Sequence, residues 1–234
     1  MKKAVFAFSA LVLAALAAAP AAQAQVRLGF RAGGNYANLA GNLKNENTYN
    51  NKLGFLGGVI LNADVSGDGF FSVQPELLYS QKGFENKPTE YSRPLLLGGT
   101  RTEKREGKVN YNYLDVPVLA RINADGFVFE AGPQYSYLLN ARDETRTTVT
   151  VNGESRTSEA SNQKDVSGLR RSELGYVAGV GYQADNGLGL GLRYTGAFSD
   201  FVKPENGDSY FNGDLKNARH SAVQLSLSYL IPSR

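Results

Sequence analysis

Cysteine and tryptophan are absent from this chain, and it has a single histidine, His220. Without cysteine there is no disulfide framework, no thiolate metal site and no lipid anchor at an export cleavage site to expect. No phosphate-binding Walker loop, metal-ligand cluster or dinucleotide fingerprint occurs either, so no cofactor and no metal site are expected. Past Ala24 no apolar run is long enough for a membrane helix. Charge of one sign is also missing. The formal charge of +3 falls to +1 once Lys2 and Lys3 leave with residues 1–24, so the basic pI is no footprint of nucleic acid.

What is present begins with that first segment. Met1-Lys2-Lys3, an apolar run from Ala4 to Ala19 and Ala22-Gln23-Ala24 have the basic, apolar and small-x-small order of a secretory signal peptide cut after Ala24. Residues 25–234 are then expected to form one domain. They are rich in Gly, Tyr and Phe, with negative mean hydropathy overall. A membrane protein of that profile has only the closed barrel open to it, because lipid leaves no backbone group unpaired.

Tyr111 to Asn140 sets the pattern. Leu114, Val116, Val118, Ala120 and Ile122 alternate with polar partners, and Phe127, Phe129, Ala131, Tyr135 and Tyr137 do so again after Ala124-Asp125-Gly126. Period-two alternation around a short link predicts an antiparallel hairpin with one apolar face. Similar segments are expected at Val26–Tyr36, Leu53–Val65, Phe70–Gln81, Arg171–Ala184, Leu188–Ser199 and Ala218–Ile231. The connections run long, short, long, short, long, short, long, with Lys82–Gly107 and Ala141–Arg170 read as long polar segments. That rhythm predicts an eight-stranded antiparallel up-and-down transmembrane β-barrel with short periplasmic turns and long extracellular loops. A soluble barrel keeps its apolar residues inside and fits the loop asymmetry less well.

In a membrane barrel the apolar face meets lipid, so the charges must point into the lumen. Arg27, Arg31, Glu76, Asp115, Arg121, Glu130 and Arg193 fall on that face, and Glu76, Asp115, Arg121 and Glu130 sit on neighbouring strands. An eight-stranded lumen is just wide enough for side chains to fill. A plug of paired charges is therefore favoured over a narrow ion path. Phe30, Tyr36, Phe71, Tyr79, Tyr182, Phe198 and Tyr229 suit aromatic girdles at the two membrane surfaces.

The pieces Leu28-Gly29-Phe30-Arg31-Ala32-Gly33-Gly34-Asn35, Gln74-Pro75-Glu76-Leu77-Leu78-Tyr79-Ser80-Gln81-Lys82-Gly83, Tyr113-Leu114-Asp115-Val116-Pro117, Glu130-Ala131-Gly132-Pro133 and Gly191-Leu192-Arg193-Tyr194 carry a resemblance. In that order they resemble a family of small bacterial outer-membrane β-barrel proteins, labelled "porin family" or "outer membrane protein beta-barrel domain". The resemblance implies an architecture akin to the OmpA or OmpX membrane domains in a Gram-negative cell envelope, and "porin" there labels architecture, not a pore. It also implies contact with outer-membrane lipid and lipopolysaccharide, and with the barrel assembly machinery, which reads a terminal aromatic. Tyr229 stands there, followed here by Leu230-Ile231-Pro232-Ser233-Arg234.

Function on such a scaffold sits in loops. Thr147 to Glu154 alternates into Asn152-Gly153 and predicts an outward hairpin joining strands five and six. Leu95, Leu96 and Leu97 lie in an otherwise polar loop, either as a contact for an unknown extracellular partner or packed on the barrel rim. Arg101, Lys104, Arg105, Arg142, Arg146 and Arg156 could meet anionic lipopolysaccharide, yet Asp and Glu intersperse them and a solvated surface fits equally. His220 could serve as the base of a lipid-active enzyme, with Ser221 pointing to the opposite face. Nothing else accompanies it, and a histidine at a strand end is usually surface. No catalytic residue is therefore assigned. The favoured reading is a non-enzymatic, monomeric surface-interaction or structural barrel. A low-conductance channel comes second and a lipid-modifying enzyme third.

Overall fold

The computed structural model describes residues 25–42, 49–95, 99–206 and 215–232. The segment read as a signal peptide lies outside the described residues, as do Leu96 and Leu97. Nine strands follow one another: β1 Val26–Asn42, β2 Tyr49–Asp64, β3 Phe71–Pro94, β4 Thr100–Ala124, β5 Phe127–Val151, β6 Glu154–Lys164, β7 Ser172–Gln183, β8 Leu188–Ala197 and β9 Asn217–Leu230. All pairings between them are antiparallel. β1 pairs with both β2 and β9, and the β4–β5 pairing closes the ring. β6 pairs with β5 alone, so the other eight strands are the staves of the barrel and β6 stands outside it.

Alternation sets which face looks where. On β9, Val223, Leu225 and Leu227 point outward and are exposed, while Ala222, Gln224 and Ser226 between them are buried. On β8, Leu190, Leu192 and Tyr194 are exposed while Arg193 is only 2% exposed. Apolar outside and polar inside is the inversion that lipid imposes. β8, at ten residues, spans the nine to eleven that a tilted strand needs, and among the described residues no helix is long and apolar enough to cross a membrane.

Short turns close the end that carries Val26 and Leu230. Asp125 and Gly126 both have positive φ, 51° and 88°, the demand of the two-residue type I′ turn between β4 and β5. Asp64 shapes the β2–β3 turn by accepting hydrogen bonds from the backbone N–H groups of Gly67 and Gly69 at 3.0 and 2.8 Å.

The opposite end departs from the expected loops. Lys82–Gly107 is mostly strand: β3 runs on to Pro94 and β4 starts at Thr100, paired from Lys82↔Tyr111 to Pro94↔Thr100. Ala141–Arg170 contains the upper half of β5 and all of β6, joined at Asn152 (φ 51°) and Gly153 (φ 89°). The predicted Asn-Gly hairpin is thus present. Over most of both segments the two strand faces meet water, which removes the apolar alternation by which a strand is recognised. β3, β4, β5 and β6 together make a four-stranded sheet standing beyond the barrel.

Candidate functional site

Three layers fill the barrel. The lowest is ionic. Arg193 of β8 donates through Nη1 and Nη2 to the Glu76 carboxylate of β3, both at 2.8 Å, and through Nε to Glu130 of β5. Arg31 of β1 reaches Glu76 at 3.2 Å and Glu130 at 3.9 Å, and bonds Ser226 Oγ at 2.9 Å. All four charged side chains are at most 6% exposed. Two guanidinium groups facing two carboxylates compensate each other, and the planar fork of arginine suits the bidentate contact with Glu76.

Glycine makes the close approach possible. In register, Gly179 of β7 lies between Glu130 and Arg193. A Cβ there would stand 2.7 Å from Arg193 Cγ and 3.3 Å from Glu130 Oε1. The wall is thinned where the ion cluster needs room.

The remaining predicted lumen residues lie nearby but pair elsewhere. Arg121 stands opposite Glu130 in register and donates to Gln183 Oε1 at 3.0 Å. Arg27 donates to Asn62 Oδ1 at 3.3 Å. Asp115 does not join Glu76, Arg121 and Glu130 in one network. Its partner is Lys82 Nζ at 3.0 Å, in a second layer nearer the outer mouth. Lys82, expected as the first residue of a loop, lies within β3. Its continuation of the β3 alternation Gln74, Glu76, Leu78, Ser80 was the signal that it faces inward.

His220 sits in that second layer and is buried, 4% exposed, contrary to the surface position expected for it. Tyr113 Oη donates to Glu173 Oε1 at 2.5 Å, and His220 Nδ1 lies 3.3 Å from both Glu173 Oε2 and Tyr113 Oη. The ring packs on Phe201 with centroids 4.4 Å apart, and edge-on against Tyr111 and Tyr113. Ser221 points to the other face, 3.5 Å from the Asn38 carbonyl, so its hydroxyl is not at the imidazole, where the neighbouring hydroxyl is that of Tyr113, bonded to Glu173. His220 is buried because the segment after Phe198, polar in sequence, brings Phe201 back over the strand end.

That fold-back supplies the third layer. Leu169, Phe201, Val202 and Leu215 join Leu39, Phe84, Val109, Tyr111 and Leu138 in an apolar cluster across the outer mouth. Leu169 and Val202 pair as an isolated bridge, and Phe201 N–H donates to the Ala218 carbonyl at 3.0 Å. The pair Phe201-Val202, apolar within a polar connection, was the available clue. Among the described residues no group of His, Asp and Glu is placed to hold a metal ion.

The projecting sheet has two unlike faces. On one, Lys104–Glu106, Lys108–Glu144 and Arg146–Glu159 pair at 2.6, 2.9 and 2.6 Å. The hydrogen bond from Lys104 holds the Glu106 carboxyl below the usual carboxylate range. On the other stand Arg93, Arg101, Arg105 and Arg156, of which only Arg101 has an ion pair among the described residues, with Glu103 at 3.8 Å. Arg142 lies on the paired face's side of β5. Leu95 is exposed at the β3–β4 tip, where its N–H donates to the Gly99 carbonyl.

A ring of antiparallel staves with lipid-facing apolar residues, buried charges and short turns at one end defines a small transmembrane barrel of the bacterial outer membrane. The sequence matches the model of the outer membrane protein beta-barrel domain over residues 21–203, and the chain belongs to that family. No curated protein matches it by sequence. Among solved structures it is similar to Ail, the attachment invasion locus protein of Yersinia pestis, solved in complex with the heparin analogue sucrose octasulfate. That match has 10% identity, covers 88% of this chain and 99% of Ail, and has a TM-score of 0.41. It is similar also to Neisserial surface protein A, at 13% identity over 86% of this chain and 96% of the other, with a TM-score of 0.38. The outer-membrane channel DcaP of Acinetobacter baumannii matches at 12% identity over 90% and 98%, with a TM-score of 0.25.

Proposed function

We propose that this outer-membrane barrel acts at the cell surface through its projecting sheet, with the barrel as a sealed, non-enzymatic anchor. The observation that carries the reading is the continuation of β3, β4 and β5 beyond the apolar plug, joined there by β6. Long paired strands hold a recognition surface in place at far less entropic cost than free loops would. The buried ion pairs and the apolar cluster below support a filled lumen over a conducting one, and Ser221, turned to the opposite face from His220, does not support lipid hydrolysis. On this reading residues 1–24 are removed on export, residues 25–234 form one domain, the assembly machinery receives the β9 end at Tyr229, and lipopolysaccharide surrounds the barrel.

The test compares cells producing the native protein with cells producing a barrel whose sheet is cut back. Residues 87–106 and 144–161 are each replaced by Asn-Gly, which leaves the pairs Asn86↔Gly107 and Asp143↔Asn162 to flank two-residue turns. Attachment is counted on surfaces coated with mucin, gelatin and dextran sulfate. The native protein is expected to raise attachment on at least one coat, with the shortened barrel at background. Equal attachment by the two on every coat would reject the reading.

A further inference from the structure

Resting on that surface reading, we infer that the mouth-side face of the projecting sheet is a binding surface for a linear polyanionic saccharide. Directly paired residues of neighbouring strands share a face. Tyr113 and Asp115 of β4 point into the lumen, so by alternation Gly107, Arg105, Glu103 and Arg101 lie on the same side above it. The register then assigns their partners to that side: Thr89, Tyr91 and Arg93 on β3, Thr147, Val149 and Val151 on β5, and Ser158, Arg156 and Glu154 on β6. Four arginines meet two glutamates there.

Arg93 and Arg101 stand directly opposite each other, an arrangement that costs stability unless something negative comes between them. Arg93, Arg105 and Arg156 have no ion pair among the described residues, whereas Lys104, Lys108 and Arg146 on the opposite face are each matched by a carboxylate within 3 Å. Among the described residues three cations of one face are matched by carboxylates, and three of the other are not.

Spacing and company indicate the ligand. Arg101 and Arg105 are four residues apart on one strand, roughly 13 Å, and β6 lies about 10 Å across the sheet from β4. Cations so spread meet repeated charges along a chain, not one compact anion. Exposed Tyr91 and the hydroxyls of Thr89, Thr147 and Ser158 lie on the same face. They offer a ring to stack on a sugar and hydrogen-bonding partners for its hydroxyls. The face continues the lumen-facing side of β4 and not its lipid-facing side, so lipopolysaccharide of the same membrane is the less suitable source of charge.

The probe is dextran sulfate, with neutral dextran as control, and the sample is the full refolded protein in detergent at physiological salt. A mouth-side triple variant, R93Q/R101Q/R105Q, is compared with an opposite-face triple, K104Q/K108Q/R146Q, each checked for folding by gel mobility before and after heating. The native protein should bind dextran sulfate and not dextran. The mouth-side triple should lose at least tenfold in affinity and the opposite-face triple less than twofold. Equal losses from both triples, or no preference of the native protein for dextran sulfate, would overturn the inference. So would binding to lipopolysaccharide vesicles that the mouth-side triple abolishes while dextran sulfate is not bound. If the shortened barrel loses attachment to mucin while the mouth-side triple binds dextran sulfate normally, the surface reading stands and this inference falls.

Discussion

Replacing Arg193 with Met tests how the lumen is held together. The substitution keeps an unbranched chain of similar length and removes the charge that faces Glu76 and Glu130 together. Among the described residues Arg31 then remains as the only cation in ion-pair contact with either carboxylate, at 3.2 and 3.9 Å. Leaving buried charge uncompensated costs about 3–5 kcal/mol, and Glu76 and Glu130 are 3% and 6% exposed, so water gives little relief. The expected loss is at the upper part of that range in urea unfolding from lipid vesicles, read by tyrosine fluorescence since the chain has no tryptophan. A second substitution, Glu130→Gln in the Arg193→Met background, should recover part of the loss because it removes the stranded charge. The two changes should therefore be strongly non-additive, by about 1–3 kcal/mol. A loss below about 1 kcal/mol for Arg193→Met, or additive effects in the cycle, would refute the reasoning.

Other outcomes follow from the same geometry. Gly179→Ala puts a methyl 2.7 Å from Arg193 Cγ and should cost about 1–3 kcal/mol in the same assay, as overpacking does; no measurable loss would mean that the wall is not thinned for the ion cluster. Asn152→Val forces a β-branched residue into positive φ at the sheet tip, which strains the turn by about 1–2 kcal/mol. It should speed protease cleavage near residues 150–155 without changing barrel unfolding. Amino-terminal sequencing of the protein recovered from outer membranes should begin at Gln25, and a start at Met1 would contradict the processing reading.

How much of this was legible in sequence varied with the environment of each strand. Lipid on one side and a packed lumen on the other force strict alternation, so Val223 to Tyr229 and Leu114 to Ile122 declared themselves, and the stave count with them. Above the membrane water wets both faces, alternation fades, and the upper halves of β3, β4 and β5 read as polar loops. Only the Asn152-Gly153 turn, whose chemistry is local, remained visible there. The inward charges could be listed from the same alternation, but their partners could not. Which arginine meets which glutamate depends on strand stagger, which brings Arg193 across to Glu76, 117 residues away in sequence, and leaves Asp115 to Lys82. His220 and the Phe201 plug depend on a connection folding back, which local periodicity does not encode.

The most direct test of the central claim, a barrel sealed by side chains with its work done outside, is single-channel recording of the refolded native protein in planar bilayers. An Arg121→Ala variant runs beside it, because Arg121 holds Gln183 next to the ion cluster. The account predicts a silent native protein and a variant that leaks or fails to stay folded. Steady, ion-selective openings of the native protein that Arg121→Ala alters would contradict it and make the lumen a conducting path.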